Sequence, residues 1–141
     1  MKIFLDRIDD EYLFEARNER GNTVLMDNKN REDGNVKGAG PMELLIMGIA
    51  GCSGIDIVSI LKKQRQKITS YHVEVDADRE TDKVPALFKK AHAKVYLEGT
   101  IDPSKALRAA QLSFEVYCSV SKTLEKAMEI TYEVHLNGEK L

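Results

Sequence analysis

Three observations predict an α+β fold for this sequence. Residues 41–66 read as one long apolar helix built around Cys52. Residues 71–78, 91–98 and 130–136 alternate apolar and polar side chains with a period of two. Three short β-prone runs precede the helix. The order is β-β-β-α-β-β-α-α-β, with antiparallel sheets that keep one side wet. At 141 residues the chain has the length of a single domain, 1–141, with enough surface to bury a core.

The first runs are "KIFLDRI" (2–8), "EYLFEAR" (11–17) and "NTVLMD" (22–27), divided by Asp9-Asp10 and by the turn "NERG". Residues 28–40, "NKNREDGNVKGAG", form a loop by composition, with four Asn/Asp, three Gly and no periodicity. Pro41 suits the first helical turn, where a missing N–H costs nothing. In 71–78, Tyr71, Val73, Val75 and Ala77 take one face. In 91–98, Ala91, Ala93, Val95 and Leu97 do so, and in the last strand Ile130, Tyr132, Val134 and Leu136. Between these strands "DPSKALRAAQLSFEVY" and "SVSKTLEKAM" read as helices.

Composition removes several function classes. With 43% hydrophobic and 31% charged residues the chain is that of a globular protein, not a disordered one. A net charge of −2, with both signs mixed, gives no footprint for nucleic acid. "KKQRQK" (62–67) is explained by cations offsetting a helix dipole. The first 21 residues lack the apolar stretch of a signal peptide. Residues 44–61 raise the question of a membrane span, but Asp56 would then cost roughly 2.5–3.5 kcal/mol in hydrocarbon. A helix enclosed in protein, in the cytoplasm, is the expectation.

That helix is apolar on every side, from Leu44 through Leu61, and one face of a small sheet cannot cover it. Gly48, Gly51 and Gly54 would let another backbone approach closely. A second subunit in a two-fold homodimer is the expected cover.

Cys52 and Cys118 lie 66 positions apart, without the short spacings of a structural zinc site. A purely structural disulfide does not suit a reducing cytosol. Two inert buried thiols or a working pair remain. At 100° per residue, Gly48, Cys52, Asp56, Ser59 and Lys63 fall within about 40° of one line, so thiol and carboxylate share a face. Asp56 either pairs with a cation structurally or belongs to a site. It cannot activate Cys52 directly, because a neighbouring carboxylate opposes thiolate formation. Cys118 precedes a helix with Ser119 or Ser121 as N-cap, a setting that favours thiolate. His72, His92 and His135 lie on charged strand faces and read as surface histidines. "GIAGCSG" has no Lys and no strand-to-helix turn, so it is not a phosphate loop.

"GPMELLIMGIAGCSGIDIVSIL" and "SFEVYCSVSKTLEKA" together resemble the family of osmotically inducible protein C and organic hydroperoxide resistance protein (OsmC/Ohr), most closely its YhfA-like branch. The likeness includes the element order and the Pro eleven positions before the first Cys, and it covers nearly the whole chain. It implies an OsmC-like fold in an intertwined homodimer with a site at each interface. It also implies thiol peroxidase chemistry against organic hydroperoxides in oxidative stress defence. Cys52 would be peroxidatic and Cys118 resolving, with a disulfide between them reduced by an external dithiol, in some members a lipoylated protein. No cofactor or metal is implied.

Two departures stand out. Met42 occupies the position of the glutamate that in the family orients an arginine beside the thiolate. Glu43, nine residues before Cys52, would face about 180° away. Arg17 and Arg20 are the candidate arginines, Lys63 of this chain or a partner is a further candidate cation, and Asp56 a substitute orienting acid. The alternative class is a dimeric stress or binding protein of this fold without full peroxidase activity.

Overall fold

Three short strands, β1 (Ile3–Arg7), β2 (Phe14–Asn18) and β3 (Thr23–Met26), open the computed structural model, which describes residues 1–141. They pair antiparallel in sequence order, Leu5 opposite Ala16 and Ala16 opposite Val24. Short polar side chains set the turns, as their chemistry requires. Asp9 Oδ1 accepts the amides of Glu11 and Leu13, and Asn18 Oδ1 accepts those of Arg20 and Asn22. This sheet belongs to the first of two compact units, Met1–Leu45; the second is Ile46–Leu141.

The loop 28–40 is organised by one cation. The Arg31 side chain is only 3% exposed and pairs with Asp9 at 2.7 Å, Asp33 at 3.0 Å, Asp27 at 3.2 Å and Glu11 at 3.6 Å. Its guanidinium holds the Asp33 carboxyl down at about 2. Burial pushes Asp9 and Asp27 upward, but backbone amides and Arg31 outweigh it and leave both below the ordinary value. Gly38 lies so close to β3 that a Cβ there would stand 2.7 Å from the Leu25 carbonyl.

Helix α1 (Pro41–Lys63) begins at the expected proline, with Glu43 Oε2 accepting the Gly40 amide at 2.7 Å. It stops three residues short of the expected Gln66. Arg65 adopts φ 59°, its amide returns to the Lys62 carbonyl, and the Gln66 amide returns to Leu61. Two such back-bonds around a left-handed residue satisfy the last carbonyls and end the helix.

The second unit holds a four-stranded sheet in the order β4-β5-β6-β7. Strands β4 (Lys67–Arg79) and β5 (Phe88–Thr100) form a long antiparallel hairpin, extending beyond the alternating stretches on both sides. Gly99 permits the bulge near its end: at φ +138° a Cβ would lie 2.0 Å from the Lys67 carbonyl oxygen. Strand β6 (Glu129–Leu136) runs parallel to β5, which departs from the antiparallel expectation. Alternation of period two is the same in either direction. The helical crossover between the strands decides, since it returns the chain to the end where β5 began. A short β7 (Glu139–Lys140) follows as an unexpected antiparallel edge.

The crossover comprises α2 (Pro103–Leu112), a π-helical turn at Ser113–Tyr117, and α3 (Ser119–Leu124). Asp102 caps α2 by accepting the amides of Ser104 and Lys105. The two helices expected from sequence are therefore shorter, and the first ends in a wider turn. Ile49, Ile57 and Leu61 of α1 pack with Ala91, Ala93, Val95 and Leu97 of β5 and with the alanines of α2. Within the unit α1 is not enclosed: Ile55 is 74% exposed. The helix is long and apolar enough to cross a membrane, by length and composition only. Of its glycines, Gly48 faces Val120 and Gly54 faces the Tyr71 ring of the same chain, and Gly51 meets nothing within 4 Å.

Candidate functional site

Cys52 and Asp56 sit one turn apart on α1, and the π-helical turn delivers Cys118 to the same place. The two sulfurs and a carboxylate oxygen of Asp56 all lie within 4.8 Å of one another. Both cysteines are free thiols; Cys118 is fully buried, while Cys52 and Asp56 are half-buried. The shared face predicted for Cys52 and Asp56 is thus real, and the fold adds the second thiol to it.

Cys118 itself, rather than Ser119 or Ser121, caps α3. Its Sγ accepts the Ser121 amide at 3.4 Å and the Ser121 hydroxyl at 3.1 Å. The helix end favours the thiolate as expected, through the Ser121 amide, but burial outweighs it. Burial pushes the Cys118 thiol up, and Ser121's two donors, which pull it down, do not compensate; the neighbouring Cys52 adds to the rise.

Ser113, five residues before Cys118, also belongs to the cluster. Its single hydroxyl proton lies between the Ser53 carbonyl at 3.3 Å and Asp56 Oδ2 at 3.4 Å, both long contacts. Behind them Ser53 donates to the Ile49 carbonyl at 2.7 Å. The Tyr71 hydroxyl is buried without a partner of hydrogen-bonding geometry. Burial pushes that phenol up to about 12, only slightly relieved by Ser53, whose own proton is committed to Ile49. Sequence reasoning does not place Ser113 at the site. The one available signal is a serine one wide turn ahead of a cysteine.

Each of the other candidates has its own setting within its unit. Lys63 cannot reach Cys52 along its own helix, because eleven residues span about 16 Å. Glu43 is spent on the start of α1. In the first unit, Arg17 lies over the Phe4 ring at 4.6 Å, and Arg20 is exposed in the turn between β2 and β3. Within Ile46–Leu141 no Lys or Arg side chain forms an ion pair with Asp56. The histidines lie on the wet face of the sheet. His135 and His92 contact different oxygens of Glu133 at 2.8 and 3.5 Å, and His72 stacks on Tyr96.

Comparison with known proteins agrees with the fold. The family described as OsmC-like protein matches residues 33–133. Protein YhfA of Escherichia coli is 38% identical over 117 residues, covering 81% of this chain and 84% of that protein. A hypothetical protein of Aquifex aeolicus has a solved structure with TM-score 0.79 at 27% identity, covering 96% of both chains. The organic hydroperoxide resistance protein OhrB of Bacillus subtilis shares the fold, with TM-score 0.63 at 18% identity over 95% of this chain and 96% of that one. The chain therefore belongs to the OsmC-like family.

Proposed function

We propose that this protein is a cysteine-based thiol peroxidase that reduces organic hydroperoxides in the cytoplasm as part of oxidative stress defence. The observation that carries the reading is the approach of two free thiols, 66 positions apart in sequence, to within 4.8 Å. The likeness to a hydroperoxide resistance protein supports it at the level of fold.

In this reading the Cys52 thiolate attacks the peroxide O–O bond. A sulfur–oxygen bond forms, the alkoxide leaves, and it takes up a proton to become the alcohol. The Cys118 sulfur, deprotonated on attack, then displaces water from the Cys52 sulfenic acid and forms the disulfide. An external dithiol, such as a lipoyl group on a carrier protein, restores both thiols by exchange. Closing the bond requires a movement of at most about 3 Å, because a disulfide is about 2.05 Å long. Cys118 lies between a π-helical turn and a six-residue helix, short elements that can yield. The cation that steadies the thiolate and leaving alkoxide is assigned to Arg20, with Arg17 as its neighbour in the same hairpin.

The proposed active form is a homodimer. Ala50, Gly51, Gly54, Ile55, Val58, Tyr71 and Val73 line an open apolar groove of about 490 Å³, which a second copy of α1 would cover. A second reading, a dimeric stress or binding protein without full peroxidase activity, is favoured by one observation. Met42 stands where the family's orienting glutamate would be, and Glu43 is engaged with Gly40.

Consumption of cumene hydroperoxide with a dithiol reductant decides between them. Cys52→Ser abolishes turnover, and Cys118→Ser permits one turnover without recycling. Absence of dithiol-dependent consumption by the wild type, from mildly acid to mildly alkaline pH, overturns the peroxidase in favour of the second reading.

A further inference from the structure

We propose that Cys52, Asp56 and Cys118 bind a thiophilic divalent metal ion of the zinc class when the protein is reduced, through two thiolates and one carboxylate oxygen. The three ligand atoms lie within 4.8 Å of one another. Around a tetrahedral zinc, with Zn–S about 2.3 Å and Zn–O about 2.0–2.2 Å, such atoms stand about 3.4–3.8 Å apart. Contraction by at most about 1.4 Å completes the site.

Two of the ligands come from one helix face, four residues apart, so their spacing is fixed by α1; only Cys118 has to adjust. The sequence spacing of 66 residues argues against zinc, and it is the fold that removes the objection. Ser113 reaches Asp56 Oδ2, an outer contact of the kind that orients a ligating carboxylate. Cys118 is buried while Cys52 and Asp56 are half-buried, which leaves a fourth position open toward solvent for water. The cluster carries an acid and two thiols, and within its unit no Lys or Arg pairs with the acid; a metal cation supplies the missing positive charge. Binding displaces the thiol protons to the buffer and oxidises nothing.

A bound ion would hold the thiols away from peroxide; that consequence rests on the peroxidase reading, whereas the binding itself does not. The test uses the full chain, metal-free and reduced, with no peroxide present. Titration with Co²⁺ is expected to give one equivalent per chain with a thiolate-to-cobalt charge-transfer band, displaced by Zn²⁺. Alkylation of Cys52 should slow at least tenfold when Zn²⁺ is bound. Cys52→Ser and Cys118→Ala each lose the band. Asp56→Asn, close in shape, weakens binding tenfold or more. Protein oxidised to the Cys52–Cys118 disulfide binds none, and a His92→Ala, His135→Ala double variant binds as the wild type does.

No charge-transfer band at saturating Co²⁺, undiminished affinity in Asp56→Asn, or loss of binding in the histidine variant would each overturn the site. Should a cysteine variant fail to fold, shielding of Cys52 from alkylation in the wild-type chain decides the question alone. An inactive peroxidase that still binds cobalt refutes only the enzymatic reading. An active one that binds none refutes only the metal site.

Discussion

Ser121 donates twice to the Cys118 sulfur, from its amide at 3.4 Å and from its hydroxyl at 3.1 Å. These are the two groups that oppose the effect of burial on that thiol. Ser121→Ala removes one of them, so Cys118 becomes harder to ionise. Disulfide closure after one equivalent of hydroperoxide should slow several-fold at neutral pH, with the pH midpoint of closure moved upward. Stopped-flow tyrosine fluorescence or quenched alkylation measures it; an unchanged midpoint would remove Ser121 from the chemistry.

Asp56 places a negative charge beside both sulfurs, and like charge opposes thiolate. Asp56→Asn should therefore speed iodoacetamide alkylation of Cys52 several-fold in the metal-free, reduced protein. Slower alkylation would instead assign Asp56 to holding a cation against the thiol.

Tyr71 carries a buried hydroxyl with no partner. Tyr71→Phe removes it at nearly constant volume, so stability at neutral pH should be unchanged or higher by about 1 kcal/mol. The folded phenol ionises near 12 against an ordinary 10, so the folded state favours the neutral form. Stability is independent of this titration below pH 10 and falls as pH rises through 10 toward 12, where only the unfolded phenol ionises. The phenylalanine variant should lose less stability over that range in denaturant titrations.

Much of the fold and half of the site are legible in the sequence, and the rest is hidden for physical reasons. Alternation identifies the inward faces of β4, β5 and β6, because burial on one side of a sheet requires it. The same alternation cannot distinguish parallel from antiparallel pairing, so the direction of β6 is not readable from it. Helical periodicity puts Cys52 and Asp56 on one face. It cannot show Cys118 arriving through a π-helical turn, since that depends on one residue of extra slack after Leu112. The cap of α3 misleads because serine outranks cysteine in capping tendency, and a buried sulfur takes the position. Arg31 reads as one charge in an irregular loop, as its four acidic partners lie in separate stretches of the first unit.

Arg31→Met should lower the melting temperature of the first unit's sheet by several degrees, because it leaves the Asp27 side chain, itself 0% exposed, without its cation. The pH dependence follows from the depressed carboxyls. Their stabilisation is full above the ordinary value of 3.8 and disappears as pH falls toward the Asp33 value of about 2. Wild type should therefore lose stability across that acid range, and the variant should lose less. Circular dichroism against pH checks both.

Ile55 is 74% exposed on the open apolar groove. Ile55→Asp should leave each chain folded and shift the sizing profile from the mass of two chains to that of one. A wild type that runs as a single chain at micromolar concentration would refute the dimer.

The 66-residue interval between Cys52 and Cys118 makes oxidation a matter of conformational entropy as much as of chemistry. Cross-linking so distant a pair shrinks the unfolded ensemble and, by chain statistics, favours the folded state by about 4 kcal/mol. Thermodynamic reciprocity requires the converse. The native fold raises the effective concentration of one thiol for the other by the corresponding factor, so the bond forms in the folded chain and is readily reduced once the chain has come apart. Heat or denaturant applied to the oxidised protein in the presence of a dithiol would thus unfold and reduce it together, with redox state and folding acting as one coupled variable.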